Sequence, residues 1–107
     1  MSWDISLEVD GVPVDVERHI EGGTYAVGGV SQAKLNVTYN YSVMFDFKKL
    51  DGMLGSSSGI LLNTFVKTWG TKQYDDYWAP TPGNIGYACN ILLTWAQKYP
   101  NAVWKVE

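Results

Sequence analysis

Residues 3–9, with the sequence WDISLEV, decide the fold of this chain because they alternate strictly between apolar and polar side chains. A period of two is typical of a strand with one buried face, here the face from Trp3 to Val9. The dipeptide Asp10-Gly11 follows at once and favours a two-residue hairpin turn. Valines at positions 12, 14 and 16 continue the alternation in a returning strand, and Pro13 indicates that this strand lies at a sheet edge.

The middle of the chain predicts a further strand region and a short helix. Between the glycine pairs at 22–23 and 28–29, the apolar piece Thr24–Val27 indicates an excursion or a short strand. Residues 33–41 alternate again and predict the clearest strand of the chain, from Ala33 to Tyr41. A short helix that ends near Gly52 is then predicted from Val43, Met44, Phe47 and Leu50.

Two longer helices follow. Residues 56–59, SSSG, favour a helix cap, and the apolar face of this helix is predicted to contain Ile60, Leu61, Thr64 and Phe65. Thr81 and Pro82 are a favourable start for the next helix, because threonine caps free amides and proline suits the first turn. Pro100 stops that helix, whose apolar face is predicted to contain Ile85, Ala88, Cys89, Leu92, Trp95, Ala96 and Tyr99.

The last residues alternate once more, with Trp104 and Val106 on one face, and predict a strand that rejoins the N-terminal sheet. A chain of 107 residues has room for one core. We therefore predict a single α+β domain over residues 1–107. Its small antiparallel sheet consists of the N-terminal hairpin, the central strand and the C-terminal strand, and it packs against two or three helices.

Charge and composition argue against several classes of partner. The net charge is −3, and the one arginine, Arg18, is not part of a basic stripe. Duplex nucleic acid is bound mainly through clustered Lys and Arg, so we do not expect it as a partner. No apolar run approaches the length of a membrane span, and the first residues lack the features of a signal peptide. We expect no membrane partner and a cytoplasmic location.

Catalytic and metal-binding patterns are weak in the sequence. His19 is the only histidine and Cys89 the only cysteine, and we interpret them as a surface histidine and a core cysteine. Two such residues are too few for a zinc site, and the sequence does not place a base beside a nucleophile. The adjacent Asp75 and Asp76 lack the regular spacing of oxygen ligands, which favours a solvated loop over a cation site. We therefore expect neither catalysis, nor a metal, nor a cofactor.

The segment Tyr74–Asn84, YDDYWAPTPGN, is the best candidate for a binding surface, because it places three rings and two carboxylates before a helix N-terminus. Free amides there suit an anionic group, and a ring such as Trp78 can stack on a planar base. The predicted ligand-binding residues are Asp76, Tyr77, Trp78, Thr81 and Asn84, with Tyr39, Asn40 and Tyr41 at the end of the central strand as a second choice. The alternatives are an aromatic loop packed on its own sheet and ordinary cross-strand packing.

The run from Trp78 to Asn84, WAPTPGN, leads into a leucine-rich helix, then Pro100 and a short strand with Trp104. This ending resembles a family of small proteins encoded by bacteriophages and prophages, and residues 39–44 resemble the central tyrosine-containing motif of that family. The resemblance implies a phage origin. Small early phage proteins often counter host defence, and several families of them sequester nucleotide immune signals such as cyclic dinucleotides or ADP-ribose derivatives.

Two functions follow from these expectations. The first is a phage-type, non-catalytic protein that holds a small nucleotide-derived immune signal in the cytoplasm of the host. The second is an inhibitor that docks on a host defence protein through exposed aromatic rings, because Tyr and Trp dominate interface hot spots. Turnover of a nucleotide at Asp75 or Asp76 is a third alternative, and the sequence leaves open whether the chain forms a homo-oligomer.

Overall fold

The fold is α+β, as predicted, and the computed structural model describes residues 1–20 and 29–107. The strands are β1 (Ser2–Val9), β2 (Val12–Pro13), β3 (Asp15–Ile20), β4 (Gly29–Gln32), β5 (Lys34–Thr38) and β6 (Val103–Val106). The α-helices are α1 (Gly55–Trp69) and α2 (Pro82–Lys98), and two 3₁₀ helices cover Tyr39–Val43 and Phe47–Leu50. The piece predicted at Thr24–Val27 lies outside the described residues.

β1 is the centre of the main sheet, and its partners are antiparallel to it. Its first half pairs with β5 and its end with β2, while β6 pairs along the other side with Leu7 opposite Trp104. The turn between β1 and β2 is formed by Asp10 and Gly11, whose φ angles of 53° and 78° suit the primed turns of two-residue hairpins. The predicted hairpin turn and the return of the C-terminal strand to the sheet are thus confirmed, but the strand after the turn is only Val12–Pro13 and does not continue in this sheet to Val16 as predicted.

β3 and β4 form a separate two-stranded sheet. The chain passes from the main sheet into this second sheet at Val14 and returns to the main sheet at Ala33. At this corner the backbone N–H of Val14 donates to the carbonyl of Leu7 at 2.9 Å, and the N–H of Leu7 donates to the carbonyl of Ala33 at 3.1 Å. The register of β3 against β4 shifts before His19. The ring of His19 lies 4.8 Å from the ring of Trp95, so β3 packs against α2.

The central strand ends earlier than its alternation predicts. β5 stops at Thr38, whose hydroxyl accepts a hydrogen bond from the backbone N–H of Asn40 at 3.2 Å. That bond caps the 3₁₀ helix Tyr39–Val43, so the predicted extension of the strand to Tyr41 is wrong. Short polar side chains can compete in this way with the backbone bonds of a sheet. Tyr41 is consequently buried in the core instead of lying at a strand end.

The single short helix predicted from residues 43–50 is also wrong, because separate 3₁₀ helices occupy this region. Asp46 begins the second one, and its carboxylate accepts a hydrogen bond from the backbone N–H of Lys48 at 3.1 Å. A carboxylate in this position caps a new turn and separates it from the preceding one. Two of the four residues on the predicted apolar face are exposed, namely Val43 and Met44.

α1 begins at Gly55, so the cap predicted at serines 56–58 is wrong. The N-cap residue makes no side-chain hydrogen bond to the helix. Instead, the N–H of Gly55 donates to the carbonyl of Ala102 at 2.8 Å, and that of Ser56 to the carbonyl of Pro100 at 2.9 Å. A Cβ atom at Gly55 would lie 2.6 Å from the carbonyl oxygen of Tyr99. The start of α1 therefore packs in backbone contact with the end of α2.

The buried face of α1 differs from the predicted one. Ile60 and Leu61 are exposed, whereas Ser58 is fully buried. The hydroxyl of Ser58 accepts a hydrogen bond from the indole N–H of Trp104 at 2.7 Å and donates to the carbonyl of Gly55 at 2.8 Å. The rotation of α1 is thus set by a buried polar contact, which a count of apolar positions does not detect.

α2 starts as predicted, at Pro82 after the cap residue Thr81, and it ends at Lys98 before Pro100. Six residues of its predicted apolar face are buried, namely Ile85, Ala88, Cys89, Leu92, Trp95 and Ala96. α2 runs antiparallel to α1, because the start of each helix contacts the end of the other. In the part of the chain that the structure describes, no helix combines the length and the apolar character needed to cross a membrane.

Candidate binding surface

Asn84 organises the loop at residues 74–84 from a buried position. Its side chain is 3% exposed and lies in the first turn of α2. The amide Nδ2 donates to the carbonyls of Asp76 at 3.0 Å and Ala79 at 2.9 Å, and Oδ1 accepts from the backbone N–H of Tyr74 at 2.7 Å. Both donors of this amide are therefore used inside the protein. Asn84 holds the loop and does not offer these atoms to a ligand.

Thr81, another predicted ligand-binding residue, is the N-cap of α2. Its hydroxyl accepts a hydrogen bond from the N–H of Asn84 at 3.2 Å, and its carbonyl accepts from the N–H of Ile85 at 3.1 Å. Pro82 at the first helical position has no N–H to offer. The bond from Ile85 is the first regular bond of the helix, whereas the amide of Asn84, which was expected to be free for a ligand, has its partner within the chain.

The glycines of this segment have a structural role that the sequence analysis missed. A Cβ atom at Gly83 would collide with the carbonyl oxygen of Lys72, and one at Gly86 with the carbonyl oxygen of Gly70. The chain at residues 70–72 therefore crosses the first turn of α2 in backbone contact. Two glycines three positions apart share one helix face, and this spacing is the signal that could have predicted the crossing. The crossing places carbonyl oxygens where an anion was expected.

The second group of predicted residues, at 39–41, lies against the same loop. The side-chain amide of Asn40 donates to the carbonyl of Trp78 at 3.0 Å, across 38 positions of sequence. The hydroxyl of Tyr41 donates to the carbonyl of Tyr77 at 2.6 Å, and their rings lie 5.6 Å apart. The structure thus brings the two groups together, with polar side chains of residues 40 and 41 bound to the backbone of the loop.

Burial of the two tyrosines affects their acidity. Tyr41 is fully buried, and this desolvation raises the pKa of its hydroxyl well above the ordinary value, with a smaller contribution from Tyr77. Desolvation also raises the pKa of Tyr77. Because a buried phenolate loses its hydration, both groups stay protonated over the neutral range and can donate hydrogen bonds. They act as structural donors, Tyr41 to the carbonyl of Tyr77 in the loop and Tyr77 to the carbonyl of Asn36 in β5.

The rings at the outside of these segments remain in solvent. Tyr74 is 61% exposed, Trp78 is 43% exposed and Tyr39 is 36% exposed. We call these three residues the aromatic surface. The ring of Tyr39 rests on that of Trp3 at 4.5 Å, and the indole N–H of Trp3 donates to the hydroxyl of Ser42 at 3.2 Å. Trp3 therefore supports one member of the surface from behind.

Carboxylates border the aromatic surface. One carboxylate oxygen of Asp76 accepts a hydrogen bond from the backbone N–H of Trp78 at 3.0 Å. This bond fixes the turn that carries the indole ring. Among residues 1–20 and 29–107, no hydrogen-bond donor contacts the second oxygen of Asp76. Asp75 is exposed as well. The surface therefore combines apolar rings with an acidic edge.

The residues considered for catalysis are placed elsewhere. Cys89 is fully buried in α2, and this burial raises the pKa of its thiol well above the ordinary value. A thiol in that state is a poor nucleophile. His19 is half-buried on Trp95 and bonds to the carbonyl of Gln32 at 2.7 Å. Within the described ranges, no three His, Cys, Asp or Glu side chains are grouped so that they could hold a metal ion.

The two segments that carry the resemblance to phage proteins are those that meet at this surface, through the bond from Asn40 to Trp78. No protein-family model, curated protein or solved structure matches this chain. The resemblance therefore remains a prediction from residues 39–44 and 78–104.

Proposed function

We propose that this chain is a phage-type, non-catalytic binding protein that acts in the cytoplasm of a host cell and docks on a host defence protein. The aromatic surface is the contact. One observation carries the proposal: polar side chains of both segments are bound to the protein backbone, whereas the rings of Tyr39, Tyr74 and Trp78 remain in solvent. Tyr and Trp give large contact areas and dominate the energetics of protein interfaces.

The loop is held in place before any partner arrives. The side chains of Asn84, Tyr41 and Asn40 bind backbone groups from Tyr74 to Ala79. Binding to a disordered loop would require its ordering, which costs conformational entropy for each immobilised group. A loop that is already fixed avoids much of this cost. The arrangement therefore supports a recognition role for the rings.

The acidic edge specifies the chemistry of the partner. Asp75 and Asp76 are exposed next to Trp78, in a chain with a net charge of −3. A complementary surface has an apolar cleft for the indole ring, bordered by Lys or Arg side chains. Charges at the edge of an interface mainly affect the association rate and its dependence on salt. We therefore expect association to slow as the ionic strength rises.

Affinity capture from host lysate with matched variants tests this proposal. Tyr87 is a suitable control for Trp78, because each is 43% exposed and Tyr87 lies on α2, outside the aromatic surface. Wild-type protein and Tyr87→Ala should retain the same partner in stoichiometric amount. Trp78→Ala should bind that partner at least about 30-fold more weakly, the loss typical of an interface hot spot. Equal capture by both variants, or no stoichiometric partner, would refute the docking proposal.

A small nucleotide-derived ligand is the second candidate. It is favoured by the second carboxylate oxygen of Asp76, which no donor contacts among the residues that the structure describes. This oxygen belongs to the turn that carries the exposed ring of Trp78. A planar base could stack on the indole while the carboxylate accepts a hydrogen bond from a ribose hydroxyl or a base amine. In this alternative the chain sequesters an immune signal such as a cyclic dinucleotide or an ADP-ribose derivative.

Thermal unfolding with a panel of cyclic dinucleotides and ADP-ribose derivatives separates the two candidates. A ligand at 100 times its dissociation constant should stabilise the protein by about 2.7 kcal/mol. The stabilisation should disappear in Trp78→Ala and fall in Asp76→Asn, while Asp46→Asn serves as a surface control. Absence of any shift across the panel would eliminate the nucleotide candidate and leave docking on a protein.

A further inference from the structure

A concave surface, separate from the aromatic surface, lies between β3 and α2. It has a volume of about 520 Å³ and is lined by residues 16–19 of β3 and by one face of α2 from Tyr87 to Lys98. None of its lining residues belongs to the aromatic surface or to the loop at 74–84. The volume falls within the range of about 300–1,000 Å³ that is usual for small-molecule sites. We call this feature the β3–α2 groove.

The helical side of the groove is a continuous stripe. Tyr87, Ile91, Trp95 and Lys98 are spaced four, four and three positions apart, so they lie on one face of α2. At a rise of about 1.5 Å per residue, the stripe is roughly 16 Å long. Trp95 is almost fully buried and forms the floor, whereas Tyr87 is half-exposed at one end. This length accommodates a molecule with two or three fused or linked rings.

The strand side of the groove is shaped by an irregularity in β3. Residues 16 and 19 would point to opposite faces of a regular strand, because side chains alternate. The register of β3 shifts between Asp15 and His19, and all four residues from Val16 to His19 contribute to the groove. Irregularities of this kind can reorient side chains next to binding sites. The ring of His19 is fixed against Trp95 at 4.8 Å and its Nε2 bonds to the carbonyl of Gln32 at 2.7 Å.

The two cations of the groove lie at the same end. The hydroxyl of Tyr99 donates to the carbonyl of Asp15 at 2.6 Å, and His19 stacks on Trp95, so β3 and α2 pass each other in opposite directions. Arg18 and Lys98 therefore both lie at the end away from Tyr87. The charged residues of the lining are Arg18, Lys98 and Glu17, which gives an excess of positive charge in a chain whose net charge is −3.

We infer that the β3–α2 groove binds a small aromatic anion. Its flat apolar part lies on Trp95 and Ile91, and its carboxylate, sulfonate or phosphate group is held between Arg18 and Lys98. The aromatic floor contributes by burial of apolar surface, and the guanidinium group of Arg18 offers paired donors to the anion. Neither contribution depends on the aromatic surface. Ligand binding in the groove can therefore be tested independently of the proposed docking function.

Two fluorescent probes that differ in charge test this inference. 8-Anilinonaphthalene-1-sulfonate is a flat aromatic anion, and N-phenyl-1-naphthylamine has the same rings without the sulfonate. The sulfonate should bind saturably at one site and about fivefold or more tightly than the neutral probe, in the range of an exposed ion pair. Arg18→Gln and Lys98→Gln should each remove most of this preference. Lys49→Gln, an exposed lysine outside the groove lining, should leave it unchanged.

The position of the probe is checked by heteronuclear NMR spectroscopy of the full chain. Bound sulfonate should shift the indole resonance of Trp95 and the ring resonances of His19. The indole resonance of Trp78 should not shift. Shifts confined to Trp78 would place the probe on the aromatic surface and overturn the inference. Binding without saturation, equal affinity for both probes, or equal losses in Arg18→Gln and Lys49→Gln would overturn it as well.

Discussion

The segments that lead into the two helices are held by different kinds of hydrogen bond. The segment at residues 51–54, before α1, bonds to β6 mainly through backbone groups: Gly52 N–H donates to the Trp104 carbonyl at 2.8 Å, and Trp104 N–H to the Met53 carbonyl at 2.9 Å. A side-chain bond to β6 is added by Asp51, whose carboxylate accepts from the N–H of Val106 at 2.9 Å. The loop before α2 is held mainly by side chains, since Asn84, Tyr41 and Asn40 all bind its backbone.

This difference determines which of the two segments can be recognised from the sequence. A backbone bond can be made by almost any residue, so the segment before α1 leaves little trace in the sequence apart from Asp51. A side-chain bond requires a particular residue, and the loop before α2 therefore has a recognisable series of Thr, Gly and Asn. Substitutions should accordingly have large effects before α2 and small effects before α1, apart from Asp51 and the glycine at the start of α1.

The largest effect is expected from a methyl group at the crossing of residues 70–72 over α2. Gly86→Ala would place a Cβ atom on the carbonyl oxygen of Gly70, so the backbone must move. We expect the free energy of unfolding in denaturant to fall by about 3 kcal/mol or more, as for other severe steric insertions.

Gly59→Ala is the matched control, because Gly59 lies inside α1 and a Cβ atom there would meet nothing within 4 Å. Alanine favours a helix over glycine, so this variant should be more stable by about 0.5–1 kcal/mol. If the two variants change stability in the same direction, the close crossing at Gly86 is not a feature of the folded protein.

An intermediate effect is expected from alkaline pH through Tyr41, which anchors the loop before α2. The folded-state pKa of this hydroxyl is raised, so its stabilising effect is complete below the unfolded pKa and is lost as the pH rises beyond it. Above about pH 10, the free energy of unfolding should fall by up to about 1.4 kcal/mol per pH unit from this group.

Tyr41→Phe shows whether this hydroxyl is responsible. The variant leaves the carbonyl of Tyr77 without its donor and should be less stable at neutral pH by about 1 kcal/mol. Between pH 10 and 11 its stability should fall less steeply than that of the wild-type protein, as measured by urea unfolding at each pH. Identical slopes would mean that Tyr41 titrates normally and is not buried as described.

The sequence predicted the elements that rest on local signals. The period of two in β1, the Asp10-Gly11 turn and the Thr81-Pro82 start of α2 are all properties of neighbouring residues, and each matches the structure. The end of β5 and the rotation of α1 depend on polar contacts, from Thr38 to the next turn and from Ser58 to Trp104. The pattern of apolar residues in a sequence does not predict such polar contacts.

The candidate site was predictable in its members but not in their roles. Residues 39–41 meet residues 74–84 because β5 ends early and the chain then turns toward the loop. This contact can be seen only in the folded structure. From the sequence alone, the aromatic rings and the polar side chains of these segments were equally plausible as ligand contacts. Folding leaves Trp78 exposed and buries Asn84, since the amide satisfies three backbone groups that would otherwise lack partners.

The smallest expected effect compares the two helix starts directly. Thr81→Ala removes the hydroxyl that caps α2 and should lower the free energy of unfolding by about 1 kcal/mol. Ser56→Ala lies at the start of α1, where the bond to the carbonyl of Pro100 uses the backbone, and should change stability by less than about 0.5 kcal/mol. The reverse order in thermal unfolding would show that the serines cap α1 after all.

Hydrogen exchange at the Tyr74 amide tests the central claim most directly, namely that Asn84 fixes the loop that presents the rings. This N–H donates to Oδ1 of Asn84 at 2.7 Å, although Tyr74 itself is exposed. In the wild-type protein it should exchange about a hundredfold more slowly than an unprotected amide, while the neighbouring amide of Asp75 exchanges quickly. In Asn84→Ala the two rates should converge. Rapid exchange of the Tyr74 amide in the wild-type protein would contradict the claim.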